Sequence, residues 1–266
     1  PYYLEMHFHP YLTISCYRRI LKEDRGVMHK KTNPFIFISM LTIISSLLLS
    51  LAATQLKSYQ DYNIDVDKKK NVLKSIGLDV SALEPKNILS EYNARILEII
   101  TDRDGNNVKS IKFSDLLLSE NKRTGESIFT YEGNNYLPVF KSSSPEATII
   151  PISGKGLWST LFGYFAIDDD FNTVRGITFY QHGETPGLGG EVDKAWFQAN
   201  FAGKKIKDNS GNLVSIEVVK GKSGDNIHGV DGISGATITS RGVTDFLLRD
   251  LKRYAPFFNK QMDRIN

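Results

Sequence analysis

The stretch 231–240, Asp-Gly-Ile-Ser-Gly-Ala-Thr-Ile-Thr-Ser, puts small and hydroxyl side chains directly before an amphipathic pattern. Apolar residues then recur at helical spacing from Val243 to Tyr254, which predicts a helix with Ser240 as its N-cap and Pro256 as its end. Backbone N–H groups at a helix N-terminus are unpaired, and the helix dipole favours anions there. The stretch is therefore either a phosphate site with an accessible hydroxyl or an ordinary helix cap.

Two further segments carry side chains that could serve chemistry. Gly154–Trp158 lies between two predicted strands, and its tryptophan could either stack on a planar ring or pack in the core. His182–Glu191 follows a predicted strand, and its glycines and proline fix the shape of a loop. His182 and Glu184 could bind a metal or act as an acid–base pair, but no third ligand lies near them in sequence. We therefore predict no metal site.

The stretch 231–239 resembles the flavinylation motif Asp-x-x-Ser/Thr-Gly-Ala-Thr-x-Thr of the Na⁺-translocating NADH:quinone reductase and of the related Rnf complexes. This resemblance implies FMN joined through a phosphoester to Thr237. It also implies a separate flavin transferase that reads Asp231 as part of the motif, and Thr239 is the first alternative hydroxyl for the attachment. The attachment hydroxyl would be flanked by residues too small to shield it, namely Ser234, Gly235 and Ala236.

Both loop segments also resemble this family. A Gly-x-Gly-Leu-Trp segment borders the flavin there, which implies a flavin contact for Gly156, Leu157 and Trp158. A Glu-Thr-Pro-Gly-Leu-Gly loop packs against the flavin in the same family, and the residues implied by position are Glu184, Thr185, Gly187 and Leu188. His228 either contacts the phosphate or is a loop residue in solvent. The order of the three motifs resembles the C subunit of the Na⁺-translocating enzyme more than the G subunit of the Rnf complex.

Composition limits the source of any redox function. The chain has 266 residues, a net charge of +3 and 41% hydrophobic residues, so it can form one large or two modest domains. No basic cluster interleaved with aromatic residues points to nucleic acid. Cys16 is the single cysteine, so the chain can form neither an intrachain disulfide nor a cysteine-ligated iron–sulfur site. Redox chemistry would need an organic cofactor or a partner.

Residues 34–56 contain no charge and would span roughly 34 Å at about 1.5 Å per residue, enough to cross a bilayer. We expect an uncleaved transmembrane helix here, rather than a signal peptide or a buried helix. Residues 1–33 would form an N-terminal cytoplasmic tail, of which 1–27 are either an upstream extension or poorly ordered. Lysines flank both ends of the apolar run, so charge does not decide the orientation. The resemblance implies that residues 57–266 form a periplasmic domain on a bacterial inner membrane.

The rest of the chain mixes strands with peripheral helices, which predicts the α+β class. A polar helix is expected over 61–76, and the segment 85–100 passes from a helical pattern into an apolar run. The segment 109–124 is expected to be an irregular surface insertion. The predicted strands cover residues 128–131, 136–140, 148–152, 160–167, 173–180 and 213–219. The first two of these would form a hairpin around Gly133, and 160–167 and 173–180 would form an antiparallel pair joined at residues 168–170.

The resemblance implies an electron-relay subunit that receives electrons from an iron–sulfur centre and passes them to a second flavin. No strand–Gly-x-Gly-x-x-Gly–helix unit is present, so we expect no NADH site in this chain. Multi-helix flavin and iron–sulfur subunits would be the partners, and sodium transport would lie with them because the single apolar run has no ionisable residue. The alternatives are an Rnf G subunit, a membrane-tethered binding module without a cofactor, and a stand-alone extracellular flavin reductase.

Overall fold

The computed structural model describes residues 33–265. The expected tail, including its proposed extension 1–27, lies outside the described residues except for Asn33. The chain divides into two compact units, the first ending at Gln60 and the second beginning at Asp61. Helix α1 (Pro34–Ser75) is the main element of the first unit and continues into the second.

Helix α1 contains one window that is long and apolar enough to cross a membrane, with a mean hydropathy of 2.4 and no residue buried. We expected the apolar helix to end at Leu56 and a separate polar helix to follow, and this division was wrong. Neither glycine nor proline occurs between residues 57 and 75, so nothing interrupts the helical backbone. The helix ends before Gly77, whose φ of +86° suits the left-handed turn at a helix C-terminus.

A seven-stranded antiparallel sheet forms the centre of the second unit. Its strands are β1 (Ile96–Thr101), β2 (Leu117–Glu120), β3 (Ser127–Tyr131), β4 (Asn134–Ser143), β5 (Glu146–Lys155), β6 (Thr160–Ile167) and β7 (Val174–Gln181). The main path of the sheet runs β2-β3-β4-β5-β6-β7, and β1 pairs with β4. The predicted hairpin around Gly133 and the antiparallel pair across residues 168–170 are both confirmed. Helix α2 (Pro85–Arg95) runs directly into β1, as the change of pattern indicated.

Two local expectations need correction. The segment 109–124 is not wholly irregular, because a 3-10 turn (Phe113–Asp115) and β2 lie within it, and β2 pairs with β3. The strand expected over 213–219 shrinks to β8 (Glu217–Val218), which pairs in parallel with β9 (Gly229–Val230). After the Pro-Gly loop, a 3-10 turn (Gly189–Asp193) precedes the short helix α3 (Ala195–Ala199).

The last helix, α4, runs from Thr237 to Ile265 and differs from the expectation at both ends. It begins three residues before Ser240, so Ser240 lies in the first turn and is not the N-cap. It also continues through Pro256, although a proline inside a helix removes a backbone hydrogen bond. Phe257 and Phe258 are buried beyond this proline, so packing against the core maintains the helix.

The sheet separates two hydrophobic clusters and thereby fixes the position of α4. One cluster packs α4 against the sheet, and the other packs the end of α1 and α2 against the opposite face. A buried carboxylate joins α4 to β5, because Asp250 accepts a hydrogen bond from Ser153 N at 3.0 Å and lies 2.8 Å from the Arg249 guanidinium. The N-terminus of α4 is consequently held at one end of β5 and β6, beside the two loops singled out from the sequence.

Candidate functional site

One buried carboxylate connects the three sequence motifs. Glu184 is only 5% exposed, and its Oε1 accepts hydrogen bonds from the N–H groups of Trp158 and Ser159, each at 2.9 Å. Its Oε2 accepts from Leu157 N at 3.2 Å and from Thr239 Oγ1 at 2.7 Å. The turn after β5, the loop after β7 and the first turn of α4 therefore share a single acceptor group.

Close packing around this carboxylate explains a glycine of the loop. A side chain added at Gly189 would place its Cβ 2.6 Å from Glu184 Oε2 and 2.7 Å from Thr239 Oγ1. Burial acts to raise the pKa of the Glu184 carboxyl, but the hydrogen bonds from Thr239 and from three backbone N–H groups outweigh it. The pKa of Glu184 is therefore lowered, and the group is an anion at neutral pH.

The turn between β5 and β6 presents its apolar side chains to solvent. Gly156 N donates to Ser159 O at 2.8 Å, which closes the turn, and Ser159 Oγ accepts from Gly183 N at 2.7 Å. With the backbone held by Glu184, the Leu157 and Trp158 side chains are 47% and 72% exposed. A large exposed aromatic face of this kind is suited to stacking on a planar ligand.

The loop after β7 folds back on itself around Thr185. The Thr185 carbonyl accepts hydrogen bonds from Leu188 N at 3.2 Å and from Gly190 N at 2.9 Å. This compact arrangement leaves Thr185, Gly187 and Leu188 exposed while Glu184 points inward. Leu188 lies against the stretch 231–240, since its Cδ2 is 2.7 Å from the position of a Cβ built on Gly235.

Thr237 is exposed at the first position of α4. Gly235, with a φ of +72°, makes the turn that precedes the helix, and Ser234 beside it is also exposed. Ala236 is buried, so it anchors the turn without covering its neighbour. Thr239 is buried against Glu184, whereas Thr237 lies about 200° away around the helix and faces solvent.

Asp231 binds a neighbouring loop. Its Oδ2 lies 2.7 Å from Lys222 Nζ, and its Oδ1 accepts from Ser223 N at 2.8 Å and from Ser223 Oγ at 3.0 Å. The Lys222 ammonium and the Ser223 N–H hold the pKa of Asp231 at about 2. Gly232 N also donates to Gly221 O at 2.8 Å, so the start of the motif fixes the loop that follows β8.

The fixed loop forms one wall of a cleft of about 670 Å³ beside Thr237. The first two turns of α4 form the opposite wall. Val218 N donates to Thr244 Oγ1 at 2.9 Å, which ties β8 to the helix between the two walls of the cleft. A volume of this size is within the range of about 300–1,000 Å³ that is typical of small-molecule sites.

The structure thus brings the three predicted segments to one place, but it gives their residues different environments. Thr237, Ser234, Trp158, Leu157, Leu188, Gly187 and Thr185 are exposed, while Glu184, Thr239 and Ala236 are buried. His228 is half-buried, and its Nδ1 lies 2.6 Å from the Lys205 carbonyl oxygen, so it is not the solvent-exposed loop residue of the second alternative. His182 accepts from Glu184 N at 3.3 Å and lies 3.4 Å from Asp193, within the same loop region.

Sequence reasoning missed Ser159 and Arg241. Ser159 binds both Glu184 and Gly183, although nothing distinguishes it in sequence from other serines in turns. Arg241 lines the cleft one helical turn after Thr237. Because the helix begins at Thr237 and not after Ser240, Arg241 lies four residues after Thr237 on the same helix face. The helix start expected from the sequence did not place the two residues on one helix.

Comparison with known proteins gives the class of this domain. A family model described as "FMN-binding domain" matches residues 156–252, which include Gly156, Leu157 and Trp158, the two later motifs and the first 16 of the 29 residues of α4. An α+β domain of this type, together with the one helix among residues 33–265 that is long and apolar enough to span a membrane, defines a flavoprotein domain with a candidate membrane anchor.

Similar chains narrow this class to one family. The chain is 37% identical to the C subunit of the Na⁺-translocating NADH-quinone reductase of Haemophilus ducreyi, over 77% of this chain and 84% of that protein. It is 35% identical to the same subunit of Vibrio anguillarum, over 88% and 95%. A crystal structure of the C subunit from Parabacteroides distasonis matches with a TM-score of 0.63 and 36% identity, over 76% of this chain and 96% of that one. The chain belongs to the C-subunit family of the Na⁺-translocating NADH-quinone reductase.

Proposed function

We propose that this chain is the electron-relay subunit of a membrane-bound Na⁺-translocating NADH:quinone reductase, and that it carries FMN as a phosphoester of the Thr237 hydroxyl. The proposed relay takes electrons from an iron–sulfur centre and passes them to a second flavin, while quinone is reduced in another subunit. The single observation that carries the proposal is the exposed Thr237 hydroxyl at the start of α4, next to two loops joined by Glu184. Family membership supports the flavin and the complex.

The residues around Thr237 fit FMN. The helix N-terminus favours the negative phosphate, and Ser234 and Gly235 leave the hydroxyl open on one side. Trp158, Leu157 and Leu188 would provide apolar surface for the ring system, while Gly156, Thr185 and Gly187 would bring backbone polar groups close to it. FMN supplies the redox chemistry when it is bound, and the chain supplies its placement and electrostatic surroundings.

Glu184 and Thr239 would support this arrangement from buried positions below the exposed residues. Their oxygen atoms are already bound to one another, and Glu184 also accepts from the turn that carries Trp158. We therefore assign both residues to positioning of the site and not to direct contact with the ring. A covalent attachment suits a relay, because a tethered cofactor cannot dissociate and its distances to donor and acceptor stay fixed.

The proposed setting is the bacterial inner membrane, with the apolar part of α1 as the anchor and the flavin domain in the periplasm. Partners would be the multi-helix flavin and iron–sulfur subunits of the complex, and a flavin transferase would attach FMN during maturation. The mean hydropathy and length of α1 support the anchor. The Haemophilus and Vibrio relatives, which are named as the C subunit, favour this complex over the Rnf complex.

Denaturing gel electrophoresis under ultraviolet light tests the attachment. The full chain and its Thr237→Ala variant are each co-expressed with a flavin transferase, with Thr239→Ala as the matched control. We expect a fluorescent band in the wild type and in Thr239→Ala, and no fluorescence in Thr237→Ala. Fluorescence that persists in Thr237→Ala would move the attachment to another hydroxyl. A colourless wild type would favour the cofactor-free binding module.

A further inference from the structure

The cleft beside Thr237 lies on a different side of α4 from Glu184. Thr237, Ser240 and Arg241 all line it from the helix, because residues three and four positions apart share one face. The opposite wall is the segment 217–221, which hydrogen bonds to Gly232 and Thr244 hold in place. The proposed attachment residue Thr237 therefore shares a cleft with the segment 217–221, and Gly232 of the same motif holds that segment in position.

Next to Thr237 on the helix wall, the side chains of Ser240 and Arg241 make no hydrogen bond or ion pair with any of the described residues. Ser240 is 6% exposed, and its hydroxyl makes no hydrogen bond there, which is uncommon for a buried polar atom. Arg241 is exposed and forms no ion pair within residues 33–265, although the acidic residues Glu217 and Asp245 line the same cleft. The helix wall next to Thr237 thus carries an exposed guanidinium and a buried hydroxyl without a partner.

A phosphodiester on Thr237 would meet both of these groups. It carries one negative charge, and a side chain four residues later on a helix is within reach of it. Resting on the proposed attachment at Thr237, we propose that the phosphodiester lies in this cleft, with Arg241 as its counter-charge and the Ser240 hydroxyl as a hydrogen-bond donor. Without Arg241, Lys220 on the opposite wall would be the remaining cation of the cleft, beside the carboxylates of Glu217 and Asp245.

This assignment divides the cofactor site between two sides of the helix N-terminus. The phosphate lies on the β8 side, and the exposed Trp158 and Leu188 side chains are free to contact the ring on the other side. Arg241 is then a positioning residue, since it acts on the tether and not on the redox-active ring. Its contribution should be electrostatic, so lysine should replace it in part and glutamine should not.

Phosphorus NMR of the full chain, co-expressed with a flavin transferase, tests this assignment. The variants are Arg241→Gln, Arg241→Lys and Ser240→Ala, and the control is Lys252→Gln, an exposed cation further along the same helix. We expect Arg241→Gln and Ser240→Ala to shift the phosphorus resonance, Arg241→Lys to restore part of the shift, and Lys252→Gln to leave it unchanged. Unfolding in urea should bring all the resonances together.

A thermodynamic cycle provides the second measurement. In each protein, the unfolding equilibrium constant is measured with and without the attached flavin. We expect the factor by which the flavin lowers this constant to be about two- to fivefold smaller in Arg241→Gln than in wild type, as for an exposed ion pair. An unchanged phosphorus resonance in folded, flavin-loaded Arg241→Gln would overturn this inference alone. A wild type with no flavin on Thr237, seen directly on the denaturing gel, would instead overturn the proposed function together with it.

Discussion

Thr239 Oγ1 lies 2.7 Å from Glu184 Oε2, and both residues are buried. This contact joins the second hydroxyl of the proposed flavinylation motif to the loop after β7, across 55 residues of sequence. It shows that the two threonines of the motif have separate surroundings, because Thr239 holds the fold of the site while Thr237 remains exposed.

Replacing Thr239 by valine should destabilise the protein without removing the flavin. Valine keeps the shape of threonine but cannot donate to Glu184, and the loss of a hydrogen bond to a buried charge costs about 1.5–3 kcal/mol. Thr239→Ser retains the donor and is the matched control. Urea unfolding of the full chain in detergent gives the free energies, and equal values for the two variants would contradict the role of this contact.

Glu184→Gln should affect the two loops and the helix together. A neutral amide offers a single acceptor oxygen where the carboxylate accepts from Thr239 and from three backbone N–H groups. We expect a loss of about 2–4 kcal/mol in the free energy of unfolding and a changed flavin absorption spectrum. Glu84→Gln, at an exposed N-cap without a side-chain hydrogen bond to its helix, should change neither.

The stabilising effect of Glu184 should depend on pH in a defined direction. Its pKa is lowered in the folded protein, so its contribution is present above the unfolded pKa of about 4.3 and disappears as the pH falls through the lower folded value. The difference in unfolding free energy between wild type and Glu184→Gln should stay level from about pH 7 to pH 5 and shrink below about pH 4.3. A difference that grows on acidification would mean that the pKa is raised.

Gly189→Ala should be more damaging than Gly187→Ala. At Gly189 the new Cβ would lie within 2.7 Å of both Glu184 Oε2 and Thr239 Oγ1, whereas at Gly187 it meets nothing within 4 Å. At Gly187 the free energy of unfolding should fall by about 1 kcal/mol, because alanine is strained at a φ of +75°. At Gly189 overpacking should lower it by about 1–3 kcal/mol and distort the site. Thermal unfolding and flavin content compare the pair, and similar losses in both would contradict the packing argument.

Asp231 variants distinguish two roles for the first residue of the motif. If its role is to hold the loop at Lys222 and Ser223, Asp231→Asn should keep most of the attached flavin, because an amide oxygen still accepts from Ser223 N. Asp231→Ala should lose most of it. Flavin absorbance of the denatured protein measures the attached fraction. Equal loss in both variants would show that the transferase requires the charge itself.

Local patterns were sufficient for much of the fold. The alternation and turn residues of β6 and β7 predicted their pairing, and the change of period near Ile96 marked the passage from α2 to β1. These features depend on neighbours within a few residues, which sequence patterns record directly. The family was likewise indicated by short motifs, since each of them must keep its residue types to hold its shape.

The sequence alone determined the α+β class, the apolar helix and the three segments of the candidate site. Only the tertiary structure decided where α4 begins, because the turn at Gly235 and the buried contact of Thr239 fix its first residue at Thr237. It also decided that Glu184 points inward, since its donors lie between 25 and 55 residues away along the chain. Contacts between residues so far apart in the chain leave no periodic pattern or fixed spacing in a single sequence. The tertiary structure was therefore needed to distinguish the exposed residues of the site from the buried residues that position them.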